Sequence, residues 1–213
     1  MPLTPRIQGN TNEDRIRRIL DASLEVFTAF SFEDSTTDEI ASRSRMSKRD
    51  LYALFPNKQA MLMGVVMREM QSQEQRFRET MASTAKLRSL RSKLELIAIA
   101  LVEDMLSTSM GVVRRLVILE SLKQPFLGNL FFEGGVAQRC KQLSNLLASH
   151  QTMNVSMQPP DLESAAEQFF SVVMFFPSAM AEIGMRGKWT EGAIKKHASL
   201  ATEQFLKANP SFD

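Results

Sequence analysis

TTDEIASRSRMSKRDLYALFPNK, residues 36–58, reads as two short helices in quick succession. Thr36 and Glu39 form a capping box, in which the hydroxyl accepts a free backbone N–H and the carboxylate reaches back to the cap. A helix therefore begins at Thr36, with Ile40 and Ala41 turned inward. The signature recurs at Ser47 and Asp50, leaving only about three residues for a turn between the helices. Two capped helices this close must cross steeply, as a helix-turn-helix does. At about 100° per residue, Leu51 and Phe55 share one face of the second helix, Arg49 and Ala53 point the opposite way, and Asp50 and Tyr52 flank them. With the apolar pair packed inward, the free edge suits a DNA major groove. Arg49 matches a guanine O6/N7 edge, Ala53 a thymine methyl, and Lys48 and Tyr52 match phosphates.

The neighbouring sequence supports the same module. From about Asn12, the apolar residues Ile16, Ile19, Leu20, Phe27 and Phe30 recur at helical spacing and supply a core for the two short helices. Arg15, Arg17 and Arg18 lie outside that stripe, either as phosphate contacts or as a solvated face. Downstream, Asn57 caps a long helix through Leu62, Val65, Val66, Met70 and Phe77, ending before Leu87. Its N-terminus, with Lys58 beside it, suits a phosphate.

The run 19–63 resembles the DNA-binding head of the TetR family of bacterial transcription repressors, through Ile19, Leu20, Ala22, Phe27, Thr37, Ile40, Ala41, Ser47, Leu51-Tyr52, Phe55 and Lys58. The resemblance implies a DNA-binding surface made of Thr36, Thr37, Arg45, Ser47, Lys48, Arg49, Asp50, Tyr52, Ala53 and Lys58. Three departures stand out. Ser31 replaces a usual glycine after the first helix, Ser44-Arg45 replaces Ala-Gly in the turn, and Lys48-Arg49-Asp50 alters the reading surface. Serine and arginine adopt a positive φ less readily than glycine, so the first two bear on turn geometry.

Composition bounds the rest. A chain of 213 residues, 44% hydrophobic, buries a substantial core in one or two domains. The net charge of +2 makes no case for nucleic acid, and the first sixty residues balance nine basic against nine acidic side chains. Placement makes the case instead: Arg43, Arg45, Lys48, Arg49 and Lys58 gather around the reading helix. The single Cys140 excludes an internal disulfide framework and a multi-cysteine metal site. No apolar segment approaches the roughly 20 residues of a membrane span, and the N-terminus lacks a signal core, so a cytoplasmic protein with no membrane partner is expected. His150 and His197 stand apart, no metal, cofactor or phosphate-loop motif occurs, and no enzyme is expected.

The expected fold is all-α, with about nine helices. It comprises a flexible arm (1–11) carrying Arg6, a three-helix head (12–57), a connecting helix (58–85), a helical domain (86–209) and a tail (210–213). In the helical domain, the stretch from Ile97 to Leu101 is apolar all round and should be central. Glu120 shares a stripe with Val113, Leu116 and Val117, and needs either an arginine such as Arg114 or Arg115, or a role as polar anchor of a pocket. Gly134-Gly135 marks a kink or a close helix contact, 151–160 a loop, and Pro177 a kink or new turn.

More loosely, this half resembles TetR-family regulatory domains, which implies a ligand cavity and a homodimer paired through its last two long helices, 161–184 and 190–207. Candidate ligand residues are Met105, Met110, Glu120, Phe126, Phe131, Cys140, Phe169, Phe170 and Met174, soft groups that suit a small apolar effector. Candidate dimer residues are Phe176, Met180, Ile194, Ala198, Ala201 and Phe205. The resulting expectation is a homodimeric repressor on a palindromic double-stranded operator, released by the effector. A DNA-binding structural or partner-recruiting protein without an inducer is the alternative, and a helical enzyme the remote third.

Overall fold

The computed structural model describes residues 11–150 and 161–212. Residues 1–10 of the expected arm, with Arg6, the expected loop over 151–160 and Asp213 lie outside the described residues. Two compact units meet between Arg68 and Glu69, inside one continuous helix. The described residues are helical throughout, with no strand, and none of their single helices is long and apolar enough to cross a membrane.

In the first unit, α1 (Asn12–Ala29) is capped by the Thr11 hydroxyl, and α2 (Thr37–Ser44) packs on it. The next helix is α3 (Lys48–Leu54), and α4 (Lys58–Thr84) begins after a short break. Thr36 and Ser47 cap α2 and α3 by accepting the N–H groups of Glu39 and Asp50, as expected, but the Glu39 carboxylate accepts from Arg43 rather than closing a box at Thr36. Ile19, Val26, Ile40, Leu51, Met61 and Val65 are fully buried and form the centre of this unit. Burying each such side chain stabilises the fold by about 1.5–3 kcal/mol.

Both glycine substitutions in the head are accommodated, by different means. Arg45 takes up the left-handed conformation itself (φ 54°, ψ 44°), and its N–H closes α2 onto the Ala41 and Ser42 carbonyls. The αL turn is thus kept at the steric cost a Cβ imposes there. Among the described residues Ser31 has no positive φ; its hydroxyl instead caps a turn, donating to Asp34 and accepting the Asp34 N–H.

The second unit contains the rest of α4, then α5 (Leu90–Leu106), α6 (Thr108–Ser121), α7 (Pro125–Phe131), a π turn (Phe132–Ala137), α8 (Gln138–Ala148), α9 (Leu162–Glu182) and α10 (Glu191–Ala208). Because α7, the π turn and α8 run without a break, the described residues form nine separate helical rods besides short 3-10 turns. Helix α5 is central, packing on α6, α9 and α10, with Leu94, Ile97, Ala98, Leu101 and Val102 buried. Phe169 and Phe205 meet edge to face at 5.2 Å in this core. Gly134-Gly135 lies within the π turn, and a Cβ on Gly134 would stand 2.8 Å from the Met70 methyl. The pair therefore marks both an irregular turn and a close helix contact.

Pro177 starts no new helix, because α9 continues through it. Proline lacks the N–H that would bond the Val173 carbonyl one turn back. His197 on α10 fills the gap, its Nε2 donating to Val173 O at 2.8 Å. The ring is held edge-on against Trp189, 5.2 Å away. The expected dimer residues Ile194, Ala198, Ala201 and Phe205 are buried in this chain's own core, because α10 turns its apolar stripe toward α5 and α9. They are therefore not a surface, whereas Phe176 is 56% exposed and Met180 half-buried.

His197→Ala should lower stability by about 1–2 kcal/mol by orphaning a buried carbonyl. In a Pro177→Ala background the loss should shrink by about 1 kcal/mol, since the new N–H takes Val173 O. Urea denaturation of the four proteins checks this; equal losses in both backgrounds would refute the coupling.

Candidate nucleic-acid interface and helical-domain cavity

On the first unit, α3 buries Leu51 completely and leaves Lys48, Arg49, Tyr52 and Ala53 exposed. The cations expected around it differ sharply in their availability. Arg43 pairs with Glu39 at 3.0 Å, Lys48 with Asp38 at 2.7 Å, and Arg15 with Asp50 at 2.9 Å. Arg17 holds Asp14, and Arg18 contacts the Met46 sulfur. Among the described residues, no side-chain hydrogen bond or ion pair engages Arg45 or Arg49, and both are exposed. These two flank the start of α3 without a hydrogen-bonded partner, Arg49 acting on Asp50 only through space. Tyr52 and Thr37 share a hydrogen bond of 3.0 Å between hydroxyls, which joins α2 to α3 on the exposed side.

Asp50 belongs to the scaffold. The Ser47 hydroxyl and then Arg15 hold its carboxyl below the usual range. With a depressed folded-state pKa, its stabilising contribution is present above the ordinary carboxylate range and is lost as pH falls through the depressed value.

Lys58, expected at a phosphate, is occupied within the fold. Its ammonium donates to the carbonyls of Phe32, Glu33 and Ser35 at 2.6, 3.1 and 2.8 Å and lies 4.7 Å from the Phe32 ring centre. All three ammonium N–H groups are thereby used. Asn57 caps the Ala60 N–H at 2.8 Å, as expected.

On the second unit, a cavity of about 390 Å³ opens among the C-terminal half of α4 and helices α5 to α9. Of the candidate ligand residues, Met105, Met110, Phe131, Phe170 and Met174 line it. The others do not. Phe169 is sealed in the core, and Phe126 stands 43% exposed. Cys140 borders an adjoining, more polar hollow of about 590 Å³ that shares Val136, Phe170 and Ser171 with the first, and burial pushes its thiol above the usual range, with Glu167 adding to the effect. Glu120 is buried but is not part of the cavity wall, and Arg114, its expected partner, pairs with Glu182 at 3.1 Å.

Apart from Arg114, considered above as a partner for Glu120, the cavity's polar groups are outside the expected site. Arg139 and Arg114, both buried, line it with Gln73, Asp104, Ser171 and Ser178. Arg139 donates to the Gln73 side-chain oxygen at 2.5 Å and faces the Phe77 ring at 5.8 Å. Burial draws both guanidinium groups below their ordinary range, opposed at Arg139 by Asp104 and Glu74 and at Arg114 by Glu182. Arginine remains charged in such settings. The missed signal was periodic: Val136, Arg139, Cys140 and Leu143 form one helical stripe, so Arg139 is as misplaced among apolar residues as Glu120 is on α6.

The model for bacterial regulatory proteins of the tetR family matches residues 19–65. The model described as the AefR-like transcriptional repressor, C-terminal domain, matches residues 92–208. Among solved structures, a putative TetR-family transcriptional regulator from Mesorhizobium loti superposes with a TM-score of 0.80 at 20% identity, covering 93% of this chain and 98% of that one. The flavonoid-responsive regulator FrrA gives 0.68 at 24% identity, with 92% and 97% covered. The fatty acid degradation regulator FadR from Bacillus halodurans gives 0.70 at 13%, with 96% and 100% covered. At these identities the likeness is one of fold. No curated protein matches the chain.

Lys58→Met should lower the stability of the first unit by about 2–3 kcal/mol, the scale of lost charge-assisted hydrogen bonds. It should leave the slope of log affinity for duplex DNA against log salt unchanged. Urea denaturation and titrations at several salt concentrations measure the two effects; a slope reduced by about one would return Lys58 to the phosphate.

Proposed function

The chain belongs to the TetR family of bacterial transcription regulators, and from that premise we propose that it is a homodimeric repressor of a palindromic operator, released by a small effector. The observation that carries the reading is the contrast on the first unit between paired and bare cations. Arg49 has the position and freedom to read a base edge, and Arg45 to hold a phosphate beside it. Lys48 and Tyr52 can add phosphate contacts by exchanging Asp38 and Thr37 for DNA oxygens.

A short recognition helix reads few base pairs, and a twofold doubles the site. Two heads then occupy successive major grooves about 34–36 Å apart. For the twofold contact, α9 offers Phe176, Ala179, Met180 and Ile183, an apolar stripe at helical spacing. Phe176 and Ile183 are 56% and 69% exposed in the single chain. The effector would occupy the 390 Å³ cavity. Because α4 belongs in part to each unit, it is the continuous element through which a change at the cavity would reach the head. By linkage, DNA and effector must weaken each other by the same factor.

Arg49→Ala should relax selection at one position of each half-site and cost about 1–3 kcal/mol on the preferred sequence. Arg45→Ala should weaken all sequences alike. Selection of bound genomic fragments by the purified proteins measures both, and a uniform loss for Arg49→Ala would sink its assignment as reader. Ile183→Glu should weaken dimerisation by about 2 kcal/mol or more, read by sedimentation equilibrium; an unchanged dimer would move the interface off this stripe.

A further inference from the structure

The effector cavity holds two buried cations whose bonding is incomplete. Arg139 is 6% exposed, and its only side-chain hydrogen bond among the described residues is to the neutral amide oxygen of Gln73. Its Nε has no partner. Arg114 is 8% exposed; its Nε reaches Glu182, while its Nη1 is also unpartnered.

The nearby carboxylates act on Arg139 through space but make no hydrogen bond to it. Asp104 is held by Arg76 at 2.5 Å. Glu74 accepts from Gln142 at 2.8 Å and faces Arg78 at 3.7 Å; its second oxygen is unpartnered, but Glu74 does not line the cavity. Arg186 adds positive charge beside Arg114, with one nitrogen donating to Ser107 O at 3.3 Å. Glu182 thus meets Arg114 through Nε alone, and Asp104 and Glu74 act on Arg139 only through space; a buried guanidinium N–H left without an acceptor is unfavourable. The remaining wall is soft and apolar, from Met105, Met110, Phe131 and Met174.

We propose that the effector is an amphipathic carboxylate, its apolar body against the methionines and phenylalanines and its carboxylate accepting from Arg139 and Arg114. The inference rests on the effector reading above and sharpens it, because a purely apolar occupant would leave both guanidinium nitrogens dry and unpaired. A carboxylate supplies planar acceptors matched to guanidinium donors. A neutral alcohol of the same shape supplies one weak acceptor and no charge.

The test uses the full-length protein and a matched pair of probes, 4-phenylbutyrate and 4-phenylbutanol, by calorimetric titration at neutral pH. The acid should bind at least tenfold more tightly than the alcohol. Arg139→Gln should erase most of that preference by weakening the acid about tenfold while leaving the alcohol within twofold. Arg114→Gln should weaken the acid severalfold. Circular dichroism and retained DNA binding show that each variant is folded.

Binding of both probes with equal strength, or an acid preference untouched by either variant, overturns the carboxylate assignment and leaves an effector cavity standing. If neither probe binds, the carboxylate assignment falls. If, in addition, no member of a wider panel of neutral apolar compounds shifts the melting temperature, the effector reading falls with it.

Discussion

A helix of two turns does not hold itself together in water, because nucleation fixes several residues before the first hydrogen bonds repay it. Helices α2 and α3 are of this kind, and every functional statement about the head depends on what closes their ends. Thr36 and Ser47 satisfy N–H groups at the two starts, and an arginine in the left-handed conformation closes the turn between them. Before α2, the chain leaving α1 is gathered by Lys58, whose ammonium draws three carbonyls toward one point. The long helix that begins at Lys58 is thereby tied to the segment that positions α2. The head is held by a polar framework as much as by its apolar centre.

The same economy explains which cations remain available. Side chains that brace the framework, Arg15 on Asp50 and Arg43 on Glu39, are the ones near its seams. Arg49 lies opposite Leu51, and a helix of seven residues cannot turn both inward. Burying Leu51 therefore forces Arg49 into solvent. In this way a packing requirement sets the chemistry of the exposed face of α3.

Much of this was legible in the chain. Capping pairs act within one turn, so Thr36 with Glu39 and Ser47 with Asp50 announce two helix starts before any tertiary contact is known. Apolar spacing likewise gives α1, α5 and α9. What stayed hidden depends on partners distant in sequence. Lys58 beside a helix N-terminus looks like a phosphate ligand until the carbonyls of Phe32, Glu33 and Ser35 are seen against it. The stripe Ile194, Ala198, Ala201, Phe205 is equally consistent with a partner chain and with a core, and only the packing of α10 on α5 decides for the core. In the cavity wall, methionine and phenylalanine stand at five of the expected positions, yet a periodic count that weighs apolar residues alone gives no place to Arg139. That α9 runs on through Pro177 was likewise hidden, because the compensating donor, His197, lies on another helix.

The π turn at Phe132–Ala137 bears on how the cavity wall came to have its present composition. A π turn accommodates about one residue more than an α turn, so it shifts the phase of everything after it by about 100°. On an uninterrupted α-helix, Phe131, Val136 and Arg139 would be spread over about 140° of the circumference. With one residue absorbed between the first two, they fall within about 60°, and all three line the same cavity. A single-residue insertion in an ancestral helix would produce this register, and deletion of one residue there would rotate Arg139 out of the wall. The irregular turn thus sets the angular phase that gives an otherwise oily chamber its buried positive charge.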